Sequence, residues 1–327
     1  MSLLIPSERD YEDAHTAFPS MENSYQRCLE QTRHKEPENF RWRFETVPGF
    51  FVQADPDTDD LQFRYTELNM GRKMSWADIM AQVAGLNANV PPNVAYKVVV
   101  CARHGQGFHN QIVDKYGSAA WEAKWHALGT DGEITYGPDP PLTELGQKQA
   151  AENHRAWKRE IFEHGAPLPA QFYASPLQRS CWTHKITWEG LQPADKKTVV
   201  VETLRETIGR NLCDKRSAKS VIEERFAQYG FECEPGFSEE DSLFPEDERE
   251  TDTEHAMRIN LFCQWLFDRD VDASGAVDPQ KRAENAFVCT TTHAGSIRLF
   301  ILVFGHRRFT ISTGGSIPIV VRGTREG

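Results

Sequence analysis

The order of apolar and polar residues divides the chain near residue 95. Beyond that point, short unbroken apolar runs rich in β-branched residues recur at 98–100, 199–201 and 317–321. Runs of this kind, without alternation, predict strands covered on both faces. The pattern predicts strands over 96–102, 172–174, 198–202, 286–291 and 317–322. Helices fall between them. Thr143 is an N-cap for a helix running to about 163, with Leu145, Ala150, Trp157, Ile161 and Phe162 roughly on one side. Ser175-Pro176 opens a second helix reaching Trp188, because proline suits a first helical turn. Further helices are expected near 253–269 and 295–304. Alternating strands and helices predict a three-layer α/β/α sandwich around a mostly parallel sheet.

Two stretches break this rhythm. Residues 1–94 hold an acidic turn, Asp55-Pro56-Asp57-Thr58-Asp59-Asp60, and isolated aromatics such as Phe18, Tyr25, Phe40, Trp42 and Phe44. They contain one expected helix, from Ser75 as N-cap to Leu86. This extension is expected to wrap the domain formed by 95–327 and tuck its aromatics into grooves. The second stretch, 210–252, is acid-rich in its later half, with Glu239-Glu240-Asp241 and a further acidic run at 246–250. It reads as a solvated surface loop, or as a lid-like insertion next to a site.

Composition narrows the function. A net charge of −11 excludes a broad nucleic-acid or anionic-membrane surface, while leaving room for a small basic pocket. The most apolar window, 297–304, is too short to span a membrane. The opening residues show no signal-peptide pattern. Seven scattered cysteines without a CxxC pair read as free thiols in a reducing compartment, rather than a disulfide framework or zinc site. The expectation is a cytoplasmic protein with no metal and no cofactor. Nothing in the sequence signals a particular oligomeric state.

Ligands of parallel α/β sheets sit beyond the carboxyl ends of the strands. The residues just after the predicted strands are Arg103-His104-Gly105, then Ser175 to Arg179, then Leu204-Arg205-Glu206, then Thr292-His293-Ala294-Gly295. Two arginines, two histidines and a carboxyl therefore converge from distant parts of the chain. Phosphoryl transfer needs such a set. A neutral histidine serves as nucleophile. Arg103, Arg179 and a protonated His293 offset charge on the phosphoryl oxygens. Glu206 can protonate a leaving oxygen.

Arg103-His104-Gly105 followed by Asn110 resembles the signature of the histidine phosphatase superfamily, also called phosphoglycerate mutase-like. Ser175-Pro176-Leu177-x-Arg179-x-x-x-Thr183, Leu204-Arg205-Glu206-x-x-Gly209, Thr292-His293-Ala294-Gly295 and Pro141-Leu142-Thr143-x-x-Gly146 match in the same order. The resemblance covers roughly residues 95–325. It implies that His104 becomes phosphohistidine and that Arg103, Arg179 and His293 bind the phosphate. It also implies that Asn110 lines or braces the pocket and that Glu206 is proton donor and then base. His293-Ala294, where the acid-phosphatase branch has His-Asp, places the chain with the mutase-like branch. The resemblance extends to fungal mutase-like phosphatases, including Asn211-x-Cys213-Asp214-x-Arg216.

Glycolytic mutases carry an acid and a serine soon after Arg-His-Gly, whereas this chain has Gln106-Gly107-Phe108-His109. No dedicated basic set for a second phosphate is visible in the sequence. Hydrolysis of a small organic phosphate by a phosphomonoesterase is therefore expected. A phosphomutase or phosphotransferase using the same histidine, and a non-catalytic phospholigand-binding protein, are the alternatives. The partner is a small-molecule phosphate ester, with an apolar body if Phe108, Trp121 and Trp125 line the pocket; no nucleic acid and no membrane are expected. Glu202 and Glu144 compete with Glu206 for the acid role. His109 is expected on the first helical turn, Arg205 in a salt bridge, and Arg210 and Arg216 against either substrate or the acidic loop. His306-Arg307-Arg308 is expected to cap the helix before it.

Overall fold

The computed structural model describes residues 1–16 and 18–326. Eleven α-helices and seven strands are present among them. The helices are α1 (Glu8–His15), α2 (Phe18–Lys35), α3 (Trp76–Ala88), α4 (Phe108–Tyr116), α5 (Ser118–Ala123), α6 (Glu144–Phe162), α7 (Gln178–Trp188), α8 (Lys219–Phe226), α9 (Asp252–Asp268), α10 (Pro279–Glu284) and α11 (Ala294–Val303). The strands are β1 (Trp42–Thr46), β2 (Val94–Arg103), β3 (Gln171–Ala174), β4 (Thr198–Val200), β5 (Phe231–Cys233), β6 (Phe287–Thr292) and β7 (Ser316–Arg325).

One sheet runs β1-β7-β2-β6-β3-β4-β5. The block from β2 to β5 is parallel, and β7 is antiparallel to both β2 and β1. Side chains of β2 alternate between two cores, as a strand covered on both faces requires. Ala95, Val99 and Cys101 pack with residues of α2, α9 and α11. Val94, Tyr96, Val98 and Val100 pack with Trp76 and Ile79 of α3, Trp157 of α6 and Trp188 of α7. Lys97 falls on the first face among apolar neighbours, where its Nζ donates to Asp270 at 2.6 Å. The helix starts follow their caps: Ser75 accepts from Asp78 N and Thr143 accepts from Gly146 N, both at 3.1 Å.

The extension differs from its expected form in three ways. It supplies β1, an edge strand in which Trp42 is buried while Arg43 and Glu45 face out. It forms α2, whose Phe18, Met21, Tyr25 and Leu29 enter the core. It also forms α1, which contributes no buried residue. The 210–252 stretch is not a plain surface loop. It carries α8 and β5, and its acidic run is stapled to two buried arginines. Arg205 makes two 2.7 Å bonds to Asp241, and Arg216 donates to the Ser238, Glu239 and Glu240 carbonyls. Nor does the His306-Arg307-Arg308 cluster act mainly as a helix cap. Arg307 donates to the Gln53 and Thr58 carbonyls and Arg308 to the His15 carbonyl, so these cations tie the N-terminal extension to the body.

Candidate active site

Parallel register brings three strand ends side by side. Arg103 pairs with Thr292, and Ala174 pairs with Thr291. The residues that follow, His104, Ser175 and His293, are therefore neighbours. The His104 backbone is fixed on both sides: its N–H donates to Thr292 O at 2.9 Å, and its carbonyl accepts from Gly314 N at 2.7 Å. The loop behind it passes close to the start of α6, where a β-carbon on Gly105 would fall 2.3 Å from Gly146 O. Only glycine allows two backbones to approach this closely. Thr183 Oγ1 accepts from Gly105 N at 2.9 Å and pins the same loop from α7.

His104 Nδ1 lies 2.6 Å from Gly105 O. A carbonyl oxygen only accepts, so Nδ1 carries the hydrogen and Nε2 keeps its lone pair. Arg179 Nε points at that lone pair from 3.4 Å. The Arg179 guanidinium is aimed by Cys213 O and Asp214 Oδ1, both at 2.8 Å. The His293 ring centroid is 5.0 Å from that of His104, and His293 Nε2 sits 2.7 Å from Ser175 Oγ. Burial first, then the charges of Arg179 and Arg103, holds His104 well below the ordinary imidazole range. Burial and Arg179 do the same to His293. The protonated His293 expected from the sequence is therefore disfavoured by its burial and by the guanidinium beside it.

Glu206 follows a 3-10 turn that ends at Leu204. Its Oε1 accepts from Thr207 N at 2.9 Å, and its Oε2 from Gly295 N, at the start of α11, at 3.2 Å. A β-carbon on Gly295 would fall 2.1 Å from Oε1, so the glycine leaves space for the carboxylate. Glu206 lines the same cavity as His104 and Arg103, of about 410 Å³. The two competing carboxylates lie elsewhere: Glu202 pairs with Arg205 and Arg216, and Glu144 is exposed beside Lys148. Asn110 lines the cavity, but its Oδ1 accepts from Gly107 N at 2.9 Å, so it also caps α4. His109 lies on the first turn of α4 and lines the cavity as well. Trp121 is on the cavity wall, whereas Trp125 stacks on Tyr116. Arg210 pairs with Glu122.

Sequence reasoning missed one wall of the cavity. Helix α1 contributes Arg9, Asp10, Asp13 and Ala14 to it. Arg103 Nη1 donates to Asp10 Oδ1 at 2.7 Å and to Ile311 O at 2.6 Å. Asp10 Oδ2 in turn takes the Ser7 N–H at 2.9 Å in a capping box. The Ser7-x-x-Asp10 spacing was the available signal for this helix. Asp214, Arg249 and Arg298 were also unassigned, and all three line the cavity. No group of three or more metal-type ligands occurs among the described residues.

Comparison with known proteins bears on the family of the chain. The family described as histidine phosphatase superfamily (branch 1) matches residues 117–307. A protein of Arthroderma benhamiae called "Probable phosphoglycerate mutase" is 34% identical over 298 residues, covering 85% of this chain and 84% of that protein. "Phosphomutase-like protein 3" of Candida albicans is 29% identical over 282 residues, covering 85% and 80%. Among solved structures, an ecdysone phosphate phosphatase from Bombix mori is 18% identical, with a TM-score of 0.38, covering 63% of this chain and 76% of that one. With more than half its length matched by the family and a fungal relative aligned across most of it, the chain belongs to the histidine phosphatase superfamily.

Proposed function

We propose that the protein is a phosphomonoesterase that hydrolyses a small organic phosphate through a phosphohistidine at His104, without a metal. The observation that carries this reading is the fixed tautomer of His104, with the Nε2 lone pair beside Arg179 and next to a cavity holding Arg103 and Glu206. In the first step Nε2 attacks phosphorus in line. The phosphorus–oxygen ester bond breaks, and the departing oxygen takes a proton from Glu206. Arg103 and Arg179 offset charge on the equatorial oxygens. In the second step the Glu206 carboxylate takes a proton from water, and that water's oxygen attacks phosphorus. The phosphorus–nitrogen bond breaks, releasing orthophosphate and neutral His104. Two easier displacements replace one that would need a metal-activated water. The cavity is of a size for a small ligand, and Val113, Trp121, Ile297, Phe309 and Ile311 offer an apolar wall for its body.

The test is hydrolysis of p-nitrophenyl phosphate in EDTA, wild type against His104→Ala. The variant is expected to lose activity by ~10³-fold or more. Full activity in the variant would refute the mechanism.

A second reading is transfer to an acceptor other than water. Three further arginines on the cavity wall, Arg9, Arg249 and Arg298, favour it, as do the names of the fungal relatives. Each arginine is already near a carboxylate: Asp13, Asp214 and Asp252 respectively. A phosphorylated acceptor formed in preference to orthophosphate would decide for transfer.

A further inference from the structure

We propose that His109 is a further catalytic residue, donating a hydrogen bond from its imidazole to the phosphoryl group being transferred. The inference rests on His104 being the phosphoryl acceptor. His109 stands at the start of α4, and its ring centroid is 5.5 Å from that of His104. It lines the same cavity. Its Nδ1 is buried and has no hydrogen-bond partner among the described residues. A buried ring nitrogen without a protein partner is destabilising unless water or a ligand satisfies it.

Gly107 explains how the ring comes to lie there. A β-carbon at 107 would fall 2.8 Å from both Nδ1 and Cε1 of His109. The imidazole therefore folds back over the backbone of residue 107, into space that any other residue would fill. Two sequence features, a glycine at 107 and a histidine at 109, thus serve one placement. The Asn110 cap fixes the turn between them, through its 2.9 Å bond to Gly107 N. Burial and the neighbouring Arg179 keep the imidazole neutral, so it carries one N–H. An N–H is what an equatorial phosphoryl oxygen requires. The adjacent Arg103 is committed through Nη1 to Asp10 and Ile311, so another donor on this side of the cavity has a clear use.

The test compares orthovanadate affinity and p-nitrophenyl phosphate kinetics for wild type, His109→Phe, His109→Gln and Arg179→Lys. Phenylalanine keeps the ring volume and removes the donor; glutamine restores an N–H. His109→Phe is expected to weaken vanadate binding about ten-fold or more and lower kcat, with His109→Gln recovering part of both. Wild-type vanadate affinity in His109→Phe, alongside weakened binding in Arg179→Lys, would overturn this role and leave the phosphohistidine reading standing. Unchanged affinity in both variants would overturn the two together. Should His109→Phe fail to fold, nitrogen-15 resonances of the His109 ring in the wild-type protein decide. They are expected to move when vanadate is added, and a static signal would overturn the proposal.

Discussion

Gly295→Ala should act as an indirect lesion of Glu206. The added β-carbon would stand 2.1 Å from Glu206 Oε1 and 3.0 Å from its Cδ. Non-bonded heavy atoms rest near ~3.5 Å, so the carboxylate must retreat by about 1 Å or more. That shift strains the bonds from Thr207 N and Gly295 N, at 2.9 and 3.2 Å, that now aim it. A misplacement of this size costs roughly 10²-fold in rate, or about 2.7 kcal/mol of transition-state stabilisation. The fold should tolerate the change. The obstructed atoms are the far end of a side chain, and alanine favours a helix over glycine by up to about 1 kcal/mol. The assay is kcat on an alkyl phosphate and on p-nitrophenyl phosphate, with Tm measured in parallel. The alkyl ester needs a proton on its leaving oxygen and should lose the full factor. The nitrophenyl ester leaves unaided and should lose far less. Equal losses on both substrates, or none on either, would refute the reasoning that Glu206 is the acid and that this glycine makes room for it.

The remaining predictions concern stability and can be read from urea midpoints. Gly105→Ala should destabilise by about 1–3 kcal/mol, because its β-carbon would meet the Gly146 backbone, which cannot swing aside; an unchanged midpoint would refute the contact. Lys97→Met should cost about 3–5 kcal/mol by leaving Asp270 charged and unpaired where both side chains are fully buried, and adding Asp270→Asn should restore much of the loss. Acid should unfold the protein early. His104, His109, His255 and His293 are all held well below their ordinary value of 6.5, so below that pH the unfolded chain takes up protons the folded one refuses. Stability is therefore complete above 6.5 and falls below it by about 1.4 kcal/mol per histidine per pH unit, and a flat profile between pH 7 and 5.5 would count against neutral burial.

The candidate site was legible because it sits at or just beyond strand ends, and the strands announce themselves. Consecutive β-branched residues in β2 and β7 leave little choice of element, and the residue after each parallel strand is then known to face the ligand side. His104 and His293 fall out of that rule directly, while Arg179 and Glu206 lie a few residues further on, past the ends of β3 and β4. The extension was opaque for the opposite reason. Helix α1 buries nothing, so no apolar period marks it, and what fixes it is a set of charges whose partners lie far along the chain. β1 carried a signal, since Trp42 and Phe44 alternate with Arg43 and Glu45, but five residues are too few to separate from scattered aromatics. β5 is shorter still, at three residues. Arg205 could be read as salt-bridged and Arg216 as facing either substrate or the acidic loop, but which acids they hold depends on how the 210–252 stretch folds back.

The docking of α1 also bears on the order in which a ribosome delivers this protein. Residues 8–15 are made well before several groups that receive them: Arg298 donates to the Asp13 carbonyl, Arg308 to the His15 carbonyl, and Ile311 shares Arg103 with Asp10. β1 is in the same position, since its strand partner is β7 at the far end of the chain. During synthesis the α1 segment can meet Asp60 and Arg103 early, but its contacts to Arg298, Arg308 and Ile311 must wait until those residues are made. The cavity thus gains the full set of contacts for this wall only after residue 311 has been made, and a chain stalled before that point would leave the cavity beside His104 without them.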